Sequence, residues 1–328
     1  MSDIVLLSLG TVLIDHFRYI DSKTNAIERE ERHIGGGGLF AVAGARIWLP
    51  PSRVRIPVSG EDNQELRPEL TKLCSDDEMW IWDREDTLEA LIEYKGDERS
   101  FRYVNPRPPR MLSSVPQNIA RSALCLHFCC TPEVLAQTLE QSTAPSQLVV
   151  YEPIPPSCTS ANLNALRALL PRVHIFSPNH EEAEAFLSDV LPPERPSDLI
   201  SLVELMAAKL SSFGARTVVI RSGSRGCYVL NAEPTLGALE GRWINAYWLP
   251  EEAAGKVQST TGAGNSFLGG LCAGLHLAKM DIFKAAAYGS VSASFVVEQQ
   301  GLPLSSMSNG KEKWNDDVPE RRLRRLLP

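Results

Sequence analysis

Residues 4–9 form a nearly continuous apolar run closed by Gly10, the pattern of a strand buried on both faces. A second apolar run, Val12-Leu13-Ile14, leads to Asp15. From 16 to 34 the pattern changes. Phe17, Tyr19 and Ile20 give way to Glu28-Arg29-Glu30-Glu31-Arg32-His33, which reads as a hairpin or an edge strand with one solvated face. Four glycines at 35–38 precede a stretch over 39–48 whose small residues, Ala41, Ala43, Gly44 and Ala45, suit a closely packed helix. Residues 53–60 read as a strand and 62–74 as a helix. Residues 87–94 and 99–104 read as two strands about the turn Lys95-Gly96-Asp97-Glu98, the second alternating as a half-buried strand does. Pro106-Arg107-Pro108-Pro109-Arg110 is a stiff connector.

The second half has a plainer rhythm. Strands are expected at 123–129, 148–151, 173–176 and 217–220, and helices at 131–141, 161–170, from 181, and at 199–213. Such alternation predicts a mostly parallel sheet with helices on both faces and ligands at the carboxyl ends of its strands. An apolar helix of small residues follows over 265–277, and the charged end, 310–328, is expected to pack Leu323, Leu326 and Leu327 onto the body.

Composition narrows the function. The 328 residues carry a net charge of −7, a poor match for nucleic acid or an anionic membrane surface. No apolar run reaches the roughly 18 residues of a membrane helix. The first ten residues have no basic region and begin a strand, so they do not read as a signal peptide, and a cytoplasmic location is the default. The seven cysteines show no Cys-x2-Cys pairing, which argues against a zinc site or a disulfide framework. The six histidines have no metal-ligand spacing. There is no Gly-x4-Gly-Lys-Ser/Thr, no Gly-x-Gly-x-x-Gly after the first strand, and no Gly-x-Ser-x-Gly around Ser266.

The candidate chemistry lies at Thr260-Thr261-Gly262-Ala263-Gly264, just before the helix over 265–277. Glycines let a ligand approach the backbone, and a helix start offers open N–H groups and the positive end of the dipole. Together they make an anion cradle suited to phosphate. The same stretch also reads as a glycine-rich turn before a buried helix, needing no ligand.

On these residues the chain resembles the ribokinase-like, or pfkB, family of carbohydrate kinases, whose signature is Asp-Thr-x-Gly-Ala-Gly-Asp. Here the stretch is Ser259-Thr260-Thr261-Gly262-Ala263-Gly264-Asn265. The glycines match, but Ser259 and Asn265 stand where aspartates are usual, and the second aspartate is the family's catalytic base. The resemblance implies that Gly262, Ala263 and Gly264 stabilise the transferring phosphoryl group, with Asn265 at the catalytic position and Thr261 beside the cofactor. It places Asp15 on a substrate hydroxyl, although Asp15 also reads as a turn or cap acid. Gly36, Gly37 and Phe40 fall on the family's Gly-Gly-x-x-x-Asn, where Leu39 or Phe40 replaces the usual asparagine.

Asn179 and Glu182 match a Pro-Asn-x-x-Glu motif that organises Mg2+ and phosphates, with Glu182 towards the metal. Acids after Asn179 also suit a capped helix start. Gly223 and Gly226 match a nucleotide-facing Gly-x-x-Gly, and Arg221, where Thr or Ser is common, could pair with phosphate. The glycine run with Thr-Gly-Ala-Gly-Asn looks most like a fungal branch, the maintenance-of-killer pfkB-like proteins.

The expected fold is therefore α/β, a ribokinase-like three-layer sandwich in one domain over 1–328, with a small β-lid from about 16–34 and 86–105. The expected activity is ATP-dependent phosphoryl transfer to a hydroxyl of a sugar-like or nucleoside-like molecule. The alternatives are a nucleotide-binding pseudokinase or another reaction on the same scaffold. A homodimer through the lid is a further expectation. On the sequence alone, Asn265→Asp should raise any kinase activity without harming the fold.

Overall fold

The computed structural model describes residues 4–74, 76–96, 98–140, 147–232, 239–308 and 310–327. Asp97, in the expected turn at 95–98, lies outside them.

In the first half, the elements are β1 (Ile4–Ser8), β2 (Leu13–Ile20), β3 (Ile27–Gly35), α1 (Gly37–Arg46), β4 (Val54–Ser59), α2 (Leu66–Leu73), β5 (Trp80–Asp83), β6 (Leu88–Lys95) and β7 (Glu98–Tyr103). There follow α3 (Gln117–Ser122), β8 (Ala123–Cys130), α4 (Pro132–Glu140), β9 (Leu148–Pro153), α5 (Leu163–Leu169), β10 (Ile175–Phe176), α6 (His180–Leu187) and α7 (Leu199–Ser212). The last part holds β11 (Thr217–Arg221), β12 (Cys227–Asn231), β13 (Glu240–Ile244), α8 (Ala263–Leu277), α9 (Ile282–Val296), the hairpin β14 (Ser305–Ser308) and β15 (Lys311–Trp314), and α10 (Pro319–Leu326).

Nine strands form one sheet in the order β13-β12-β11-β10-β9-β8-β1-β4-β5. β12 runs antiparallel to both its neighbours, and the other pairings are parallel. Side chains alternate across a strand, so each central strand feeds two cores. Val150 and Val219 pack with Leu39, Phe267 and Leu271 on the α1, α8 and α9 side. Val149, Tyr151, Val218 and Ile220 pack with Leu166, Phe186 and Met206 on the α5, α6 and α7 side. This is the three-layer arrangement expected from the βα alternation.

The lid also forms. β3-β2-β6-β7 make a separate four-stranded sheet, in which β2 pairs antiparallel with β3 and parallel with β6. The two expected lid segments, far apart in sequence, therefore meet. β2 begins at Leu13, so Asp15 lies within a lid strand and not at the end of the first buried one. Leu323 and Leu326 pack against the core, as expected of the charged C-terminal segment.

Close helix packing fixes the start of α8. A methyl group on Gly44 of α1 would overlap the backbone and side chain of Ser266, and one on Gly269 would overlap the Ala41 carbonyl. The two backbones touch because both positions lack a Cβ. Gly44→Ala is therefore expected to cost about 1–3 kcal/mol through overpacking, despite the better helix propensity of alanine. Urea unfolding checks this, and an unchanged midpoint would mean that the helices do not approach so closely.

Candidate active site

Five parallel strands, β1, β8, β9, β10 and β11, end at one edge of the sheet beneath the start of α8. On each, the residue two positions beyond a core residue of the α8 side carries a polar atom: Ser8 after Leu6, His127 after Cys125, Glu152 after Val150, Ser177 after Ile175, and Arg221 after Val219. The period of two that builds the core thus aims a row of polar groups at α8.

These groups form one connected network. Arg221 Nη1 lies 2.7 Å from Glu152 Oε1, and Nη2 lies 3.4 Å from Glu182 Oε2. Nη2 also donates to the Ser177 carbonyl at 3.1 Å. Asn265 Nδ2 donates to Glu152 Oε2 at 2.7 Å, and His127 Nε2 lies 3.4 Å from the same oxygen. The Ser8 hydroxyl is 3.0 Å from His127 Nδ1 and accepts the Gly10 N–H at 3.3 Å. A carboxylate only accepts, so the tautomer that satisfies every partner carries its proton on Nε2, leaving Nδ1 to accept from Ser8.

The Glu152 side chain is 5% exposed. Burial pushes its carboxyl up, but Arg221, then His127 and the Asn265 amide, outweigh this and hold it below the ordinary carboxylate range. Glu182 differs: burial dominates and leaves it above that range, although Arg221 and the Asn179 N–H pull it back. The contrast follows from distance, since Glu152 sits closer to the guanidinium. Cys129 Sγ lies 4.0 Å from Asn265 Nδ2, and burial followed by the Glu152 charge pushes this thiol up, so it stays protonated.

The glycine motif forms the turn that starts α8. Gly262 caps α8 in the left-handed region, φ 79°, and a Cβ there would run into the Phe40 ring. Ala263 and Ser266 donate to the Thr260 and Gly262 carbonyls, which leaves the Gly264 and Asn265 N–H groups as the open donors of the first turn among the described residues. No acid lies in that turn. A methyl group on Gly264 would overlap Arg221 Nη1, so only glycine admits the guanidinium there.

The other residues singled out in the sequence sort into near and far. A Cβ on Gly37 would stand 3.0 Å from both Asn265 Nδ2 and Cys129 Sγ, so Gly37 borders the network. Phe40 is buried and packs on Gly262. Asp15 pairs with His33 in the lid ladder and its carboxylate lies against Gly35, and burial first, then Cys129 and Asp15, push the Tyr103 phenol up. Gly36 backs onto Thr11, and Thr261 follows Ser259, whose hydroxyl accepts its N–H. Gly226 packs on the chain at 244–246, and Gly223 borders open space.

Asn179 and Glu182 make a capping box: Asn179 Oδ1 accepts from the Glu182 N–H at 2.8 Å, and Glu182 Oε2 accepts from the Asn179 N–H at 2.7 Å. The magnesium that the resemblance assigned to Glu182 does not fit these side chains. Glu182 Oε2 is held by the Asn179 N–H, and the guanidinium of Arg221, 3.4 Å away, opposes a dication approaching that carboxylate. Among the described residues no three His, Cys, Asp or Glu side chains converge on one point.

Glu152, His127, Ser8 and Ser177 were not singled out from the sequence. Their signal was the period of two carried past the end of each apolar run.

A mostly parallel sheet with a separate lid and a glycine-capped helix over its carboxyl edge defines a ribokinase-like fold. The chain belongs to the pfkB family of carbohydrate kinases, whose family model matches residues 5–308. It is 27% identical over 351 residues to an uncharacterized protein of Schizosaccharomyces pombe, covering 98% of this chain and 92% of that one. It is 25% identical to the protein MAK32 of Saccharomyces cerevisiae, with 84% and 82% covered, and 26% identical to an adenosine kinase of Schizophyllum commune, with 92% and 97% covered. Among solved structures it is similar to a ribokinase of Giardia lamblia, with a TM-score of 0.69, 22% identity and 92% and 95% covered. It is similar also to an Arabidopsis thaliana ribokinase complexed with ribose and ATP, with a TM-score of 0.67, 18% identity and 100% and 99% covered. At these identities the solved structures establish the fold. No helix among the described residues is long and apolar enough to cross a membrane.

Proposed function

We propose that the chain binds ATP with its phosphates at the start of α8 and transfers a phosphoryl group to a hydroxyl of a sugar-like or nucleoside-like molecule. The observation that carries this reading is the open first turn of α8 over the carboxyl ends of the parallel strands. Open N–H groups and a helix dipole suit a phosphate.

In the step, the acceptor oxygen bonds to the γ-phosphorus, the bond to the ADP oxygen breaks, and the hydroxyl proton must leave. Asn265 cannot take that proton near pH 7. Glu152, one hydrogen bond from Asn265 and held ionised, is the carboxylate we assign as acceptor. A carboxylate held in its ionised form is a weak base, so slow turnover is expected. A binding-only reading, with nucleotide held and not turned over, is favoured by the amide at 265.

Calorimetry with ADP and with ATP should show saturable binding, and nucleotide should raise the melting temperature. Turnover against a panel of sugars and nucleosides then separates the two readings. Heat-silent titration at millimolar nucleotide would remove both.

A further inference from the structure

Two carboxylates buried side by side need a positive partner, or one of them takes up a proton. In many phosphate-handling sites that partner is a divalent ion. Here Glu152 on β9 and Glu182 on α6, both buried, flank the end of β11, and the partner is a side chain of that strand. Arg221 reaches Glu152 with one terminal nitrogen at 2.7 Å and Glu182 with the other at 3.4 Å. It is not a loose surface cation. Its side chain is 12% exposed, its Nη2 is anchored on the Ser177 carbonyl, and Gly264 is the residue that makes room for it.

We propose that Arg221 is a tethered cation standing between Glu152 and Glu182, in the place a divalent ion would otherwise take, so that this edge of the sheet has no metal affinity of its own. The guanidinium balances one buried charge directly and part of a second. It also repels any dication approaching either acid, and it occupies one oxygen of each, Glu152 Oε1 and Glu182 Oε2. Its charge is permanent, so the arrangement does not depend on metal supply. The inference concerns the protein without nucleotide and stands whether or not the chain turns ATP over.

The test uses Mn2+ alone as the probe, followed by electron paramagnetic resonance. Native protein is expected to show no saturable binding up to about 1 mM free Mn2+, the weak end of protein sites. Arg221→Ala leaves two buried acids around a space that an ion and its waters can fill. It is expected to bind one Mn2+ at least about tenfold more tightly than that limit, with a rise in melting temperature on adding the ion. Arg221→Lys keeps the charge and should stay metal-free. One Mn2+ bound to native protein and lost in Glu182→Gln would overturn the proposal. So would a folded Arg221→Ala that gains no Mn2+. Should Arg221→Ala fail to fold, the native and Glu182→Gln titrations decide alone.

Discussion

Glu152→Ala is expected to lower the stability of the chain by about 3–5 kcal/mol, the usual loss when one partner of a buried charge pair is removed. The variant leaves Arg221 with its weaker partner, Glu182, and deprives the Asn265 amide and the His127 ring of their common acceptor. These losses share one atom group and will not add. Denaturant unfolding at pH 7 measures the effect, and a loss below about 1 kcal/mol would mean that the cluster is not formed in solution.

The pH dependence gives a second reading of the same prediction. Arg221, His127 and the Asn265 amide hold the folded-state pKa of Glu152 below the ordinary carboxylate range. Its contribution is therefore fully present above the unfolded-state value and is lost as pH falls through the folded one. The gap between native protein and Glu152→Ala should be complete at pH 7 and should close in acid.

Asn265→Asp is expected to destabilise the chain and to leave ATP turnover no higher than native. This reverses the expectation drawn from the glycine motif alone. The amide at 265 donates to Glu152 Oε2 at 2.7 Å, and an aspartate there would set two carboxylates against each other. One must take a proton, and the value of the shared proton rises above that of either acid in the unfolded chain. Losing the charge-assisted bond alone costs about 1.5–3 kcal/mol. Because the folded-state value is raised, the deficit is largest at neutral pH and shrinks as pH falls towards the unfolded-state value. The exchange Glu152→Gln with Asn265→Asp restores one donor and one acceptor, with the roles swapped. It should recover most of the lost stability. A single Asn265→Asp variant that is as stable as native and faster in turnover would show that the contact with Glu152 does not form.

The fold was legible where local pattern and global packing agree. Alternating apolar runs and helices predicted the parallel sheet, whereas the pattern at 16–34 and 99–104 read only as edge or hairpin strands, and it was the family resemblance that implied a lid, whose strands do pair. α9 was silent because Ala285, Ala286, Ala287, Gly289, Ser290 and Ser292 are all buried, which leaves no polar face and hence no amphipathic stripe. The candidate site was half legible. Gly262, Gly264 and Asn265 declare themselves through local spacing. Glu152 does not, because its meaning comes from Asn265, 113 residues away, and from Arg221 two strands across. An isolated acid before Pro153 looks like the end of a strand until the sheet order places it in the middle. The sequence lets Arg221 pair with phosphate but gives no sign of its nearest partners here, which are acids of the protein itself.

The touching backbones of α1 and α8 have a mechanical consequence. Helices that meet through glycine have no long side chains between them to bend or repack, so neither can slide past the other by small adjustments. α8 is thus held like a fixed jaw, its Ser266 and Gly269 set against Gly44 and Ala41 of α1 and its Gly270 and Gly274 against Ser292 and Ala285 of α9. The lid shares no ladder with the nine-stranded sheet. It meets the body in part through exposed side chains, such as the Arg32 and Glu65 pair, which can rotate, whereas the glycine contacts of α8 cannot.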